Sequence, residues 1–217
     1  MKTLIVLGGD PPDRTLAERY FAWADRVLCT DSGANALTAW GLWPDLLIGD
    51  MDSIAPDALA AMQQKGVPIE RHNPHKDLTD GQLACSLALE MGAKEVTILG
   101  GWGGRADHSF ANLMMMRYMA EQGVCVRMRC PEQWVTVCGT GRHEVKGPAG
   151  GTFSLLPISD GVVVRSIEGA EYPLLKPTAM PLSPTFDLPL GLSNRLLAES
   201  AFFELASGWI LCFSPAY

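Results

Sequence analysis

The chain has 217 residues, of which 47% are hydrophobic and 19% charged, and it carries a formal charge of −7. These proportions exclude an intrinsically disordered protein and leave room for one large domain, or two modest ones, with a sizeable core. The acidic balance excludes a general nucleic-acid binder, which would cluster Lys and Arg against phosphates, but it admits a nucleotide substrate provided that a divalent ion stands between carboxylates and phosphates.

The first apolar run, residues 3–7, reads as a buried strand; it stops at Gly8-Gly9 and is too short for the apolar region of a signal peptide. No other stretch approaches the roughly 18 to 20 apolar residues of a membrane helix, so no membrane partner is expected and the cytoplasm is the expected compartment. Cys29, Cys85, Cys125, Cys130, Cys138 and Cys212 are scattered without a C-x-x-C pair, as reduced core thiols are. A zinc site from Cys125, Cys130, Cys138 and His143 would lack metal-ligand spacing.

Residues 11–24 read as a helix with Leu16, Tyr20, Phe21 and Trp23 supplying apolar contacts, and residues 26–30 as a second strand that runs into Asp31-Ser32-Gly33-Ala34-Asn35. A short helix then stops at Gly41. Residues 46–48 form a third strand, 56–65 a helix closed by Gly66, and 67–70 a fourth strand. Helices at 79–91 and 106–121, ended by Gly92 and Gly123, flank a strand at 95–99, and a sixth strand follows at 124–128. Strands alternating with helices predict a mainly parallel, Rossmann-like α/β domain over residues 1–130. Beyond it, short strands at 133–138, 141–146, 152–157, 161–167 and 203–213 are separated by Gly, Pro and polar residues. They predict an all-β domain over residues 131–217, a small β-sandwich.

A parallel sheet binds ligands beyond the carboxyl ends of its strands, where the polar clusters of this chain fall. Ile48-Gly49-Asp50-Met51-Asp52-Ser53 brings two carboxylates out of an apolar run, a supply of hard oxygen ligands for Mg²⁺. Gly100-Gly101-Trp102-Gly103-Gly104-Arg105 lies between a strand and a helix, where glycine amides and a guanidinium suit a phosphate; it fits neither the Walker A nor the dinucleotide spacing. Asp107 and His108 follow, either as a helix cap and a satisfied polar residue or as ligand contacts. In Lys76-Asp77-Leu78-Thr79-Asp80, Asp77 is an N-cap candidate with Asp80 completing the capping arrangement. The competing reading puts Asp80 with Asp31, Asp50 and Asp52 around a Mg²⁺-nucleotide, with Lys76 on phosphate oxygens. Four carboxylates on one edge repel one another strongly without a cation.

In their order and spacing, Asp31 to Asn35, the run from Pro44 to Ile54, Lys76 to Asp80, and Gly100 to His108 resemble thiamine pyrophosphokinase. Ser154-Leu155-Leu156-Pro157 and Gly191-Leu192-Ser193-Asn194 extend the resemblance over nearly the whole chain, the latter looking like the family's G-x-S-N element. The resemblance implies a homodimer, with its active site where two subunits meet, that transfers the pyrophosphoryl group of ATP to the hydroxyl of thiamine, giving thiamine diphosphate and AMP. It implies Mg²⁺ held by Asp31, Asp50, Asp52 and Asp80, with Asp50, Asp52 and Asp80 as catalytic residues. For the nucleotide it implies Asp31, Lys76, Asp77, Thr79, Gly101, Gly103, Gly104, Arg105, Asp107 and His108, and for thiamine Ser193 and Asn194 in the β domain, which also serves dimerisation. Two departures stand out. Arg195-Leu196-Leu197 replaces the aromatic that many members carry after the G-x-S-N element, leaving Trp134 and Trp209 as candidate ring partners; and Gln82-Leu83 replaces a more polar pair. A metal-dependent phosphoesterase and a non-catalytic thiamine or nucleotide sensor are the alternative readings of the same residues.

Overall fold

A computed structural model of the chain describes residues 1–73, 78–182 and 191–216. The fold is mixed α/β, and the chain divides into two compact units, Met1–Pro131 and Glu132–Tyr217.

The first unit alternates strands and helices: β1 (Lys2–Val6), α1 (Arg14–Trp23), β2 (Arg26–Thr30), α2 (Gly33–Trp40), β3 (Leu46–Gly49), α3 (Pro56–Gln64), β4 (Ile69–Arg71), α4 (Asp80–Glu90), β5 (Glu95–Leu99), α5 (Ala106–Glu121) and β6 (Cys125–Arg129). All six strands pair in parallel in the order β6-β5-β1-β2-β3-β4. Strands β1, β2 and β5 are buried along four consecutive residues, the pattern of a parallel sheet covered on both faces rather than the alternation of a one-sided sheet. Leu4, Ile5, Leu28, Leu47 and Ile98 are almost wholly buried in this core, each contributing about 2 kcal/mol of apolar burial. Helix α4 packs against β1, β2 and β3 through Ala84, Cys85 and Ala88, side chains small enough for close approach.

Helix ends follow local chemistry, with some differences from the sequence expectation. Helix α1 starts at Arg14 because Asp13 caps it, accepting from the Leu16 amide at 2.8 Å. The cap of α4 is Thr79, and Gln82 returns the bond to the Thr79 amide, a complete capping box. The expected Asp77/Asp80 cap is thereby corrected: Asp80 is already the first helical residue, and Asp77 lies outside the described residues. Asp107 does not cap α5 either; Arg105 occupies that position, and its side chain makes no capping hydrogen bond to the helix amides.

The second unit holds β7 (Gln133–Cys138), β8 (Gly141–Lys146), β9 (Thr152–Pro157), β10 (Val163–Glu168), β11 (Thr178–Ala179), β12 (Asn194–Arg195), β13 (Ser200–Ser207) and β14 (Ile210–Pro215). Here β12-β9-β14-β7 and β11-β10-β13-β8 are antiparallel series. Phe153, Leu155, Ile210 and Cys212 from the first series and Val145, Val164, Phe203 and Leu205 from the second form one apolar cluster. On β13 the inward Ala201, Phe203 and Leu205 alternate with outward residues such as Glu204, which pairs with Arg165. The single strand expected over 203–213 is two strands, β13 and β14, separated at Gly208 and Trp209; Gly208 has φ 83°, a conformation that ends the first strand.

Candidate active site

In the sheet of the first unit, successive strands step outward from β1 to β4, after which the chain crosses back to place β5 on the other side of β1. The gap beyond the ends of β1 and β5 is therefore a topological switch point, where an open α/β sheet leaves a crevice. The loops there are joined by backbone bonds beyond the strands: Leu7 N–H to Leu99 O at 2.8 Å, Gly9 N–H to Gly100 O at 2.7 Å and Asp10 N–H to Trp102 O at 2.7 Å. Gly100 makes this possible, since a Cβ there would lie 2.2 Å from the Leu7 carbonyl oxygen at a φ of 65°.

A cleft of about 360 Å³ opens at this point, lined by residues that include Asp31, Thr79, Asp80, Gly103, Arg105 and His108. The loop that follows β5 is braced from α5. Ser109 Oγ accepts from the Gly103 amide and donates to the Arg105 carbonyl, both at 3.2 Å, and Asn112 Nδ2 donates to the Gly101 carbonyl at 2.8 Å. Arg105 and Asp107 are exposed and form a two-point ion pair, Nε to Oδ1 at 3.2 Å and Nη2 to Oδ2 at 2.6 Å. That pair raises the Arg105 pKa and lowers that of Asp107. Helix α5 begins at the cleft, with Arg105, His108 and Ser109 in its lining and no capping bond from the N-cap side chain, an arrangement that suits an anion.

Beside the cleft, the motifs of β2 and β3 are clasped together. The Ser53 amide and hydroxyl both donate to Asp31 Oδ2, at 3.1 and 2.9 Å. In the first turn of α2, Asn35 Oδ1 accepts from the Ala55 amide at 2.8 Å, and its Nδ2 donates to the Ser53 carbonyl at 3.4 Å. Met51 takes a φ of 69°, strained for a residue with a side chain, and the turn brings carboxylate oxygens of Asp31, Asp50 and Asp52 within 4.8 Å of one another. Gly49 permits this approach: its φ is 151°, and a Cβ there would meet Asp31 Cβ at 3.0 Å and Asp80 Cγ at 3.4 Å. The Asp52 pKa is raised, first by the charge of Asp50 and its hydrogen bond, and further by Asp31 and Asp80.

These residues fit a hard divalent cation. Asp31 is buried, and its Oδ1 has no hydrogen-bond partner among the described residues while Oδ2 is held by Ser53. A buried carboxylate oxygen left without a donor, inside a group of like charges, is the environment that a Mg²⁺ ion would satisfy. Asp80 lies outside the triad; it lines the cleft and its carboxyl faces the Gly49 backbone. Thr79 also lines the cleft while capping α4. Gly101 and Gly104 line it with Gly103, and Lys76 and Asp77 lie outside the described residues.

In the second unit, Leu155 N–H donates to Gly191 O at 2.8 Å and Ser193 N–H to Ser154 Oγ at 3.1 Å, which clasps the two sequence motifs that fall there. Ser193 is exposed with φ 58°, and Met51 and Ser193 are the non-glycine residues with positive φ among the described residues. Asn194 is buried and bonds the backbone of Tyr172 and Arg195. Trp134 and Trp209 are each half-buried, and Trp209 rests on Gly139, whose Cβ would lie 2.7 Å from its ring.

Ser53, Ser109 and Asn112 were not among the residues that sequence reasoning assigned to the site. Their signal is a polar stripe at positions 105, 109 and 112 on α5, and a serine next to D-x-D.

Fold and site together define a class: a parallel α/β protein with an anion-ready cleft at its switch point and a carboxylate triad beside it. A family model described as "Thiamin pyrophosphokinase, catalytic domain" matches residues 17–128. The thiamine pyrophosphokinase of Bacillus subtilis (strain 168) is 25% identical over 217 residues, covering 97% of each chain. Among solved structures, the Bacillus subtilis thiamine pyrophosphokinase superposes with a TM-score of 0.84 at 22% identity, covering 100% of this chain and 99% of that one. The Candida albicans enzyme gives 0.79 at 17% identity, covering 98% and 88%. The chain belongs to the thiamin pyrophosphokinase family.

Proposed function

We propose that this chain is a thiamine diphosphokinase acting at the cleft of its first unit: it transfers the pyrophosphoryl group of ATP to the hydroxyl of thiamine. The observation that carries the reading is Asp31, which lines the glycine-rich cleft and also belongs to the acidic triad, so that one residue joins an anion site to a cation site. The thiamine hydroxyl oxygen forms a bond to the β-phosphorus of ATP, the bridge to the α-phosphorus breaks, and AMP leaves. Asp80 takes the hydroxyl proton, a role supported by its place on the cleft outside the triad. Arg105 and the amides at the start of α5 hold phosphate oxygens, which requires Arg105 to exchange Asp107 for the nucleotide. His108 lines the same cleft and contacts the nucleotide. Asp31, Asp50 and Asp52 would hold Mg²⁺, which when bound neutralises charge on the phosphates.

We read the first unit as a Rossmann-like nucleotide domain and the second as a β-sandwich that receives thiamine near Ser193 and Asn194, in a homodimer. The family resemblance supports these assignments. Six cysteines with no disulfide among the described residues support a cytoplasmic setting, and no helix among the described residues is long and apolar enough to cross a membrane.

Incubation with Mg²⁺, ATP and thiamine, followed by chromatography of the products, is expected to give thiamine diphosphate and AMP in equal amounts, and AMP only when both substrates are present. Asp50→Asn is expected to lower turnover by at least about a hundredfold with the fold intact by circular dichroism. Wild-type turnover in that variant would sink the assignment of the triad.

A further inference from the structure

Given an activity that takes thiamine as acceptor, we infer that Tyr172 is the aromatic contact for the rings of the acceptor, and that Asn194 is the positioning residue that holds it. The inference rests on the function proposed above and adds a recognition residue to it.

Asn194 is 7% exposed, and its carboxamide is committed to main chain. Its Oδ1 accepts from the amides of Tyr172 at 3.0 Å and Arg195 at 2.9 Å, which uses both lone pairs, and its Nδ2 donates to the Tyr172 carbonyl at 2.9 Å. The segment around Tyr172 is tied down further by the Glu171 amide on the Arg195 carbonyl at 2.9 Å and by bridges from Ala170 to Leu196 and Ile167 to Leu174. The backbone of Tyr172 is therefore fixed, yet the residue is 63% exposed. A tyrosine tied into place but left out of the core gives up most of the burial that its ring offers, so its fixation serves recognition rather than packing.

Tyr172 lines a mainly apolar cleft of about 410 Å³ with Ile167, Leu174, Met180 and Leu192. An apolar wall beside a fixed tyrosine face suits a flat heteroaromatic cation, which stacks on the ring and is drawn to its negative face. Thiamine has that chemistry. Neither half-buried tryptophan lines this cleft.

The test compares wild type, Tyr172→Ala, Tyr172→Phe and Asn194→Asp by steady-state kinetics and by calorimetric titration with thiamine alone. Tyr172→Ala is expected to raise the KM and Kd for thiamine about tenfold, with the KM for ATP unmoved. Tyr172→Phe is expected to restore both, because the ring and not the hydroxyl makes the contact. Asn194→Asp keeps the acceptor oxygen and loses the donor, and is expected to fall between. Unchanged thiamine constants in Tyr172→Ala would overturn the inference, as would a Phe variant as impaired as the Ala variant. A Tyr172→Ala protein whose sedimentation mass changes while its thiamine binding does not would also overturn it, by showing that a second copy covers this face. Wild-type protein that binds thiamine without turnover, with binding lost in Tyr172→Ala, would refute the transfer reaction and leave the inference standing.

Discussion

Asp31 shows what a single position contributes when two constraints meet on it. Its Oδ2 is held by Ser53 and its Oδ1 is left without a donor among the described residues, an arrangement that a bound cation would complete. The same crowding acts on Asp52, whose pKa is raised chiefly by Asp50. A carboxyl with a raised folded-state pKa disfavours the folded state above its unfolded value, and this penalty disappears as pH falls through the folded value. Asp52→Asn is therefore expected to raise the Tm in a chelating buffer at neutral pH, to lose that advantage as pH approaches 3.8, and to lower turnover in the presence of Mg²⁺. Thermal scans from pH 4 to 8 check the sign; a lower Tm at neutral pH would contradict the repulsion. At this scale the acidic residues were legible in the sequence because chemistry names them. Gly49 was visible only as a flank of the motif, and its reason, a φ of 151° under two carboxyl groups, exists only once β2, β3 and α4 are assembled.

Among the elements, α5 does most to brace the cleft. Its apolar face, Leu113, Met116 and Met119, seats it in the core, while Ser109 and Asn112 reach back to the loop that precedes it. Ser109→Ala would leave the Gly103 amide and the Arg105 carbonyl without that partner, and is expected to raise the KM for ATP several-fold while the KM for thiamine stays put. Steady-state kinetics with each substrate varied in turn provide the check; equal shifts in both would point to general destabilisation. Periodicity placed α5 correctly from its first residue to its last. The start of α4 misled because D-x-x-D at 77–80 and T-x-x-Q at 79–82 overlap, and both are capping patterns. In the structure Thr79 and Gln82 close the box and Asp80 lines the cleft, an outcome that local pattern does not decide.

Over the whole chain, the change from helical to strand periodicity predicts a boundary after residue 130, and the described chain divides into compact units at Pro131. Strand order was not legible in the sequence, because nothing local tells β5 to return beside β1. The second unit was harder to read, since β11 and β12 are two residues each and their pairing depends on distant partners. With the cleft and triad both in the first unit, a non-hydrolysable ATP analogue with Mg²⁺ at a hundred times its Kd is expected to stabilise that unit by about 2.7 kcal/mol, an effect that a chelator removes. Scanning calorimetry reads it as an upward shift of the transition that carries the first unit; a shift indifferent to chelator would count against the metal. The return of β5 has a further consequence during synthesis. Strand β1 is made first, yet it bonds β2 on one side and β5 on the other. Until Leu99 leaves the ribosome, an apolar strand waits with one edge bare, open to the wrong partner. The nascent chain is thus exposed to mispairing before its cleft exists, because the lining from Gly100 to Asn112 is made only after the strand that closes that edge.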